Sequence, residues 1–92
     1  MKLRLAYSEE KNLLLKETRN VCFEDVIEAM KNGRILDILE HPKKKYPNQR
    51  ILVVKIKNYV YAVPYVIDKE KNWLFFKTVY GSRVLTKKYL RR

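Results

Sequence analysis

The stretch RILVVKIKNYVYAVPYVI, residues 50–67, predicts the central β-hairpin of this protein. Its first half is β-branched and alternates between apolar and basic positions, which is typical of a strand with one face in a core. The positions predicted to face that core are Leu52, Val54 and Ile56, with Lys55 and Lys57 on the other face. Asn58 marks the tight turn that follows, because asparagine tolerates the backbone of a two-residue hairpin loop.

The second half of the hairpin, residues 59–67, is apolar at nearly every position. A strand without a polar face is expected to be buried on both faces, with a layer of helices packed on one of them. Pro64 interrupts this strand, and proline has no N–H group to give to a neighbouring strand. We therefore expect Pro64 to lie at a bulge or in an edge position.

A short helix is predicted at residues 8–18, SEEKNLLLKET. Ser8 can cap its N-terminus, and two glutamates follow in the first turn, where the helix dipole favours negative charge. The leucines predicted to face inward are Leu13, Leu14 and Leu15.

A second helix is predicted at residues 23–33, FEDVIEAMKNG, because its apolar side chains fall at i, i+3, i+4 and i+7. These side chains are Phe23, Val26, Ile27 and Met30. Cys22 occupies the N-cap position, and Gly33 follows the last turn as a C′ residue.

Three further segments alternate in the manner of strands: KLRLAY at 2–7, RILDILEH at 34–41 and WLFFKTVY at 73–80. The chain closes with GSRVLTKKYLRR, residues 81–92, a short helix with Ser82 as its N-cap. Its predicted docking side chains are Val84, Leu85 and Tyr89.

The predicted order is β-α-α-β-β-β-β-α in one domain, residues 1–92, which is a length that suits a single core. We therefore expect an α+β fold. Two N-terminal helices and a short C-terminal helix pack on one face of a mostly antiparallel four- to five-stranded sheet.

The net charge of +11 is unevenly distributed along the chain. Residues 1–40 hold seven Lys/Arg and eight Asp/Glu, a net of −1, whereas residues 41–92 hold fourteen and two, a net of +12. This asymmetry predicts a polyanion or an acidic protein as partner. A generally lysine-rich proteome is the alternative, but it does not explain the balanced first half.

Several classes of site are disfavoured by the sequence. It has no glycine-rich phosphate loop and one cysteine, Cys22, with no other metal ligands at suitable spacing, so neither metal nor cofactor is expected. The N-terminus lacks the apolar core of a secretion signal, and no apolar run is long enough to span a membrane. A cytoplasmic location is therefore expected.

The segment EHPKKKYPNQR, residues 40–50, is rich in side chains that could act on or bind a phosphate. It contains the only histidine, a tyrosine and four cations. RNA can be cleaved without metal when a base deprotonates the 2′-OH, an acid protonates the leaving 5′-oxygen and cations neutralise the phosphorane. The candidate catalytic residues are His41, Tyr46, Lys77 and Arg83. The candidate substrate-binding residues are Lys43, Lys44, Lys45, Gln49, Arg50, Ser82 and Lys87.

Each candidate has a simpler interpretation. A histidine before proline is often a strand-end residue, and a run of three lysines is often only a solvated or steering segment. Lys77 lies in an apolar strand, where it either extends from the sheet edge or points into a site. Arg83 is equally suited to a salt bridge on its helix. The aromatic residues of the second half are predicted to pack in the sheet, with one or two free to stack on a base.

An ordered set of motifs resembles the BrnT-type toxins of bacterial type II toxin–antitoxin systems. The motifs are YSEEKN at 7–12, CFED at 22–25, the HP…YPNQ…YVYAVP series at 41–64 and KTVYGSR at 77–83. Two positions depart from the family pattern: Cys22 stands where serine is usual, and ETRN at 17–20 replaces a common KHG.

The resemblance implies a RelE-like fold and a metal-independent endoribonuclease that blocks translation, with or without the ribosome. It implies a neighbouring antitoxin as partner, in many such operons a ribbon-helix-helix protein. It also implies roles for Lys77, Ser82 and Arg83 in the C-terminal part of the site. Two other functions fit the same charge: a non-catalytic RNA- or ribosome-binding module, and a subunit that docks an acidic protein.

If Arg83 holds the phosphate of a cleaved RNA through two hydrogen bonds, alanine at this position should relieve toxicity. The measurement is growth of a bacterial host after induction of wild type and Arg83→Ala, with far-ultraviolet circular dichroism to establish that the variant folds. A folded variant that still arrests growth would remove Arg83 from the site.

Overall fold

The computed structural model describes residues 3–40 and 49–90. Their order in the chain is β-α-α-β-β-β-β-β-α. The elements are β1 (Arg4–Ala6), α1 (Glu9–Arg19), α2 (Phe23–Lys31), β2 (Ile35–Glu40), β3 (Gln49–Ile56), β4 (Tyr59–Asp68), β5 (Trp73–Phe76), β6 (Tyr80–Gly81) and α3 (Arg83–Leu90). The α+β class is confirmed.

The strands form one six-stranded mixed sheet in the order β1-β5-β4-β3-β2, with β6 beside β4. β1 runs parallel to β5, and the other pairs are antiparallel. The count exceeds the predicted four to five because the last predicted strand, residues 73–80, is divided into β5 and β6.

The central hairpin is confirmed. β3 and β4 pair without interruption from Gln49 opposite Val66 to Ile56 opposite Tyr59. The loop residues Lys57 and Asn58 have φ angles of 53° and 68°, as a type I′ turn requires. This turn matches the right-handed twist of the two strands, so the hairpin closes in two residues.

The helices cover both faces of the sheet, contrary to the prediction that they share one. We call the side covered by α1 and α2 the front face and the side covered by α3 the back face. The buried core on the front face comprises Leu15, Val21, Phe23, Val26, Ala29, Leu52, Val54, Ile56, Val63, Tyr65, Phe76 and Val79. The buried residues on the back face are Val53, Val60 and Ala62. Because β4 is apolar on both sides, it needs this second layer.

Pro64 lies in the central strand β4, opposite the junction of β5 and β6. Its carbonyl accepts a hydrogen bond from the Lys77 amide at 2.8 Å, but it has no N–H to return. Two residues of β4 separate Ala62 from Tyr65, whereas three separate their partners Tyr80 and Phe76. The neighbouring strand therefore contains one extra residue, and the predicted bulge is confirmed.

α1 starts as predicted, with the Ser8 hydroxyl accepting a hydrogen bond from the Lys11 amide. The prediction that three consecutive leucines face inward is wrong. Leu15 is buried, but Leu13 and Leu14 are 60% and 50% exposed. Successive residues of a helix point about 100° apart, so a single packed face cannot take all three.

Asn12 is the buried polar side chain of α1, and it fixes α1 to the start of α2. Its amide oxygen accepts a hydrogen bond from the Phe23 amide at 2.7 Å, and its amide nitrogen donates to the Glu24 carboxylate at 2.7 Å. The Phe23 ring is fully buried, stacked against Tyr7 at 4.9 Å and Phe76 at 5.9 Å between ring centroids.

α2 begins after Cys22, as predicted. The Asp25 carboxylate accepts hydrogen bonds from the Cys22 amide at 3.1 Å and from its thiol at 3.3 Å. Gly33 follows the helix with a φ of 70°, the left-handed backbone that favours glycine at C′. The sequence rules for helix ends therefore hold at both termini of α2.

α3 is fixed to the back face by polar contacts. The Ser82 hydroxyl accepts from the Leu85 amide at 3.1 Å, which confirms the predicted N-cap. The Val60 amide donates to the Thr86 hydroxyl at 3.0 Å, and the Tyr89 hydroxyl donates to Asp37 of β2 at 2.6 Å.

The prediction that Val84 docks α3 onto the sheet is wrong, because this side chain is 75% exposed. Leu85 and Tyr89 lie four residues apart and are half-buried, so they share the packed face of the helix. Val84 points about 100° away from that face.

No helix among the described residues is long and apolar enough to cross a membrane.

Replacing Asn12 by alanine should lower the free energy of unfolding by about 3 kcal/mol. The change removes two hydrogen bonds and leaves the buried Phe23 amide without its acceptor. Urea denaturation measures the loss. Asn32→Ala is the matched control, since that side chain is exposed and meets Glu28 at 3.5 Å. Equal stability of the two variants would contradict the role of Asn12.

Acid should weaken the fold through Glu24. The hydrogen bond from Asn12, the largest cause, holds the pKa of this carboxyl at about 2, against an ordinary 4.5. A lowered folded-state pKa stabilises the protein above pH 4.5, and this contribution is lost as the pH falls towards 2. Glu24→Gln should therefore flatten the decline of unfolding free energy over this window. Glu28→Gln, on the same helix, should keep the wild-type decline.

Candidate nucleic-acid interface

Five of the predicted site residues lie outside the described residues. They are His41, Lys43, Lys44, Lys45 and Tyr46. The strands on either side of this segment are described, and they meet at Glu40 opposite Arg50. The segment therefore leaves and re-enters the sheet at the end of β2 and the beginning of β3.

Gln49 and Lys77 lie on the same side of the sheet and near the same end. Gln49 pairs with Val66 of β4, and Lys77 is opposite Pro64 through its amide hydrogen bond. Positions 62, 64 and 66 of a regular strand share a face, which here is the back face. Two strand spacings separate Gln49 from Lys77, or about 10 Å. These two predicted residues therefore belong to one surface.

Trp73 and Phe75 lie on the same back-face surface, on β5. Phe75 pairs with Val66, and Trp73 pairs with Asp68 of β4. Both aromatic side chains are half-buried, with ring centroids 5.8 Å apart. We call the surface formed by Gln49, Trp73, Phe75 and Lys77 the aromatic strip.

A lysine already occupies one ring of the aromatic strip. The Lys71 ammonium lies 4.8 Å from the centroid of the Trp73 ring, within the range of a cation–π contact. Lys71 belongs to the turn between β4 and β5, where Asp68 accepts hydrogen bonds from the amides of Glu70 and Lys71. The turn therefore places the Lys71 ammonium at the Trp73 end of the aromatic strip.

Ser82, which precedes Arg83 at the start of α3, lies far along β4 from Gln49, a described residue of the segment at 40–50. The Ser82 amide donates to the Val60 carbonyl at 2.9 Å, whereas Gln49 pairs with Val66. These two β4 residues are six positions apart, which is about 20 Å of strand. The Ser82 hydroxyl is also occupied as the N-cap of α3.

Arg50 and Lys87 lie away from the aromatic strip. Arg50 pairs with Tyr65, whose side chain is part of the front-face core. Paired residues of neighbouring strands share a face, so the Arg50 side chain leaves β3 on the front face. Lys87 is exposed on α3. Of the described substrate-binding candidates, Gln49 alone shares the surface of Lys77.

Carboxylates neutralise few of the described cations. The salt bridge recorded in the described part of the chain joins Lys16 to Glu24 at 3.8 Å, in the first half. Setting Arg50 aside, no lysine or arginine described in residues 49–90 forms a salt bridge with a described carboxylate. The Asp68 carboxylate accepts hydrogen bonds from the amides of Glu70 and Lys71 in the same turn. The positive charge of the described second half is therefore largely unpaired with described carboxylates.

The described acids and thiol favour structural roles over chemistry. Burial raises the pKa of the Cys22 thiol, and burial likewise raises the pKa of the Tyr65 phenol. The hydrogen bond to Asp37 raises the pKa of Tyr89 and lowers that of Asp37. In residues 3–40 and 49–90, no three His, Cys, Asp or Glu side chains converge as a metal site would require.

A small cleft of about 160 Å³ lies between α2 and the end of β3. Its charged lining residues are Asp25, Glu28, Arg34, Lys55 and Lys57. Because both signs of charge face the space, the cleft lacks the uniform potential of a polyanion groove.

The roles of Asn12 and of the pair formed by Asp37 and Tyr89 were not predicted from the sequence. A signal for Asn12 existed: it lies three positions before Leu15 on the same helical face, where a polar residue needs a buried partner. The pair from β2 and α3 joins residues 52 positions apart, and nothing local connects them.

No protein-family model, no curated protein and no solved structure is significantly similar to this chain.

Proposed function

We propose that the aromatic strip binds single-stranded RNA and that the protein is a metal-independent ribonuclease toxin. The observation that carries the proposal is the placement of two half-buried aromatic rings beside Lys71 and Lys77, neither of which pairs with a described carboxylate. The RelE-like fold and the BrnT-type family are part of the proposal, and their support is the sequence pattern.

Stacking and charge together suit a flexible, unpaired strand. Exposed faces of aromatic rings stack on bases of any identity, and lysines beside them neutralise the intervening phosphates. A sheet surface carrying Trp73 and Phe75 offers two rings with centroids 5.8 Å apart, and a base on Trp73 would displace the Lys71 ammonium towards a phosphate. Gln49 adds an amide that can bond a base edge or a 2′-OH.

Cleavage would proceed through the 2′-hydroxyl of the RNA. A base, for which His41 is the candidate, takes its proton, and the resulting oxygen attacks the adjacent phosphorus. The bond to the 5′-oxygen breaks, and Tyr46 or a lysine returns a proton to that leaving oxygen. The products are a 2′,3′-cyclic phosphate and a free 5′-hydroxyl. Lys77 and the lysines at 43–45 would stabilise the phosphorane charge.

A proteinaceous antitoxin is the proposed partner, and the cytoplasm the proposed location. Leu13 and Leu14 support a protein partner, because two adjacent exposed leucines on α1 form an apolar patch that another chain can cover. Glu10, Lys11 and Glu17 border this patch, within a shallow surface depression of about 500 Å³. A partner with an apolar segment flanked by charged side chains would match it.

The proposed activity is tested by incubating the purified protein with single-stranded RNA in the presence of EDTA. We expect fragments that carry 2′,3′-cyclic phosphate and 5′-hydroxyl ends. Induction in a bacterial host should arrest growth and degrade RNA, and co-expression of the adjacent reading frame should prevent both. Folded protein with normal growth and intact RNA would overturn the toxin assignment.

Lys77→Gln should weaken RNA binding several-fold and reduce the slope of log affinity against log salt by about one, because one phosphate contact is lost. Fluorescence anisotropy with labelled single-stranded RNA measures both quantities. Lys31→Gln is the matched control, since it makes the same charge change on α2 in the balanced half of the chain. Equal effects of the two changes would indicate non-specific charge attraction.

The same measurements separate the two alternatives. Tight, salt-dependent binding without cleavage products would identify a non-catalytic RNA-binding module. No RNA affinity, together with co-purification of an acidic protein, would identify an interaction subunit.

A further inference from the structure

The turn of the central hairpin places a cation in an uncommon backbone conformation. Lys57 has a φ of 53°, in the left-handed region that asparagine and glycine occupy in most turns of this type. Its side chain is exposed at the end of the sheet that lies about 26 Å from Gln49. A lysine at this position therefore projects charge from the tip of the hairpin.

Tyr59, two residues later, lies directly on the backbone of Gly81. A Cβ atom at position 81 would come within 2.8 Å of Cε2 and 3.2 Å of Cδ2 of the Tyr59 ring. Any larger residue here would require the Tyr59 ring to move. Tyr61 meets Tyr59 edge to face, with ring centroids 5.8 Å apart and planes at 74°.

These contacts orient the Tyr59 ring without burying it. The glycine backbone supports the ring and Tyr61 fixes its tilt, yet Tyr59 keeps 36% of its surface exposed. An oriented and exposed ring is the arrangement on which nucleobases stack.

Cations stand on both sides of this ring in the chain. Lys57 precedes Tyr59 by two residues, and Arg83 follows Gly81 by two residues at the start of α3. Both side chains are exposed, and neither forms a salt bridge with any carboxylate that the structure describes. Lys57 also lines the cleft beside α2 that contains Asp25 and Glu28, and Arg83 follows Ser82, whose amide donates to the Val60 carbonyl. An aromatic ring with two cations close to it in the chain suits a base and its flanking phosphates.

We propose that Tyr59, supported by Gly81, is a second base-stacking position, and that Lys57 and Arg83 contact the phosphates of the same nucleotide segment. The inference rests on the proposed RNA binding and extends it. Tyr59 shares the front face with Tyr61 and pairs with the core residue Ile56, whereas the aromatic strip lies on the back face. A single RNA strand that contacts both would therefore pass around the edge of the sheet. This second position also gives Arg83 a role at the end of the sheet that lies away from Gln49.

The test measures anisotropy of a fluorescein-labelled 2′-O-methyl oligouridylate of roughly twelve nucleotides, a length within the range of single-strand binding sites. Blocking the 2′-oxygen prevents cleavage, so only binding is observed. Tyr59→Leu should weaken binding about tenfold with an unchanged salt slope, because a stacking contact carries no charge. Tyr59→Phe should bind within about twofold of wild type, since it keeps the ring.

Charge variants provide the second measurement. Lys57→Gln and Arg83→Gln alter only exposed side chains, and each should weaken binding and lower the salt slope by about one. If Tyr59→Leu proves unstable in thermal unfolding, these two charge variants still test the inference.

Wild-type affinity and salt slope in both charge variants would overturn the inference, as would wild-type affinity in a folded Tyr59→Leu variant. If Lys77→Gln still weakens binding in either case, RNA binds at the aromatic strip but not at Tyr59. Absence of binding by the wild-type protein would overturn both proposals.

Discussion

Pro64 governs the arrangement of the second half of the chain. β4 needs an N–H at this position to continue its ladder with the neighbouring strand, and proline has none. The neighbouring strand therefore breaks, takes up one extra residue and rejoins β4 at Tyr80. The break leaves Lys77 exposed beside the aromatic strip and places Gly81 beneath Tyr59. The two proposed RNA contacts thus lie on either side of one irregularity in the sheet.

The first half of the chain depends on a different constraint, the burial of Phe23. Its ring joins Tyr7 of the N-terminal segment to Phe76 of β5, and its amide is bonded to Asn12. Motif positions that resemble a toxin signature, Asn12 and Phe23 among them, therefore have structural roles here. The balanced charge of this half agrees with a supporting function, since Glu24 is used for internal bonding.

Local physical rules predicted most of the secondary structure. The hairpin turn at Asn58, the caps at Ser8 and Ser82 and the glycine after α2 each depend on neighbouring residues alone, and each is confirmed. The wrong predictions concern side chains whose direction is set by tertiary packing. Leu14 and Val84 are apolar residues whose direction depends on which helical face meets the sheet, and a run of apolar letters does not reveal that face.

The sequence by itself determined the α+β class, the helix and hairpin boundaries and the concentration of positive charge after residue 40. These properties follow from periodicity, capping and composition, which act over a few residues. Only the tertiary structure decided that α3 covers the back face and that Lys77 shares a surface with Gln49 while Arg83 lies at the far end. Strand register sets those distances, and register is fixed by hydrogen bonds between residues that are distant in the chain.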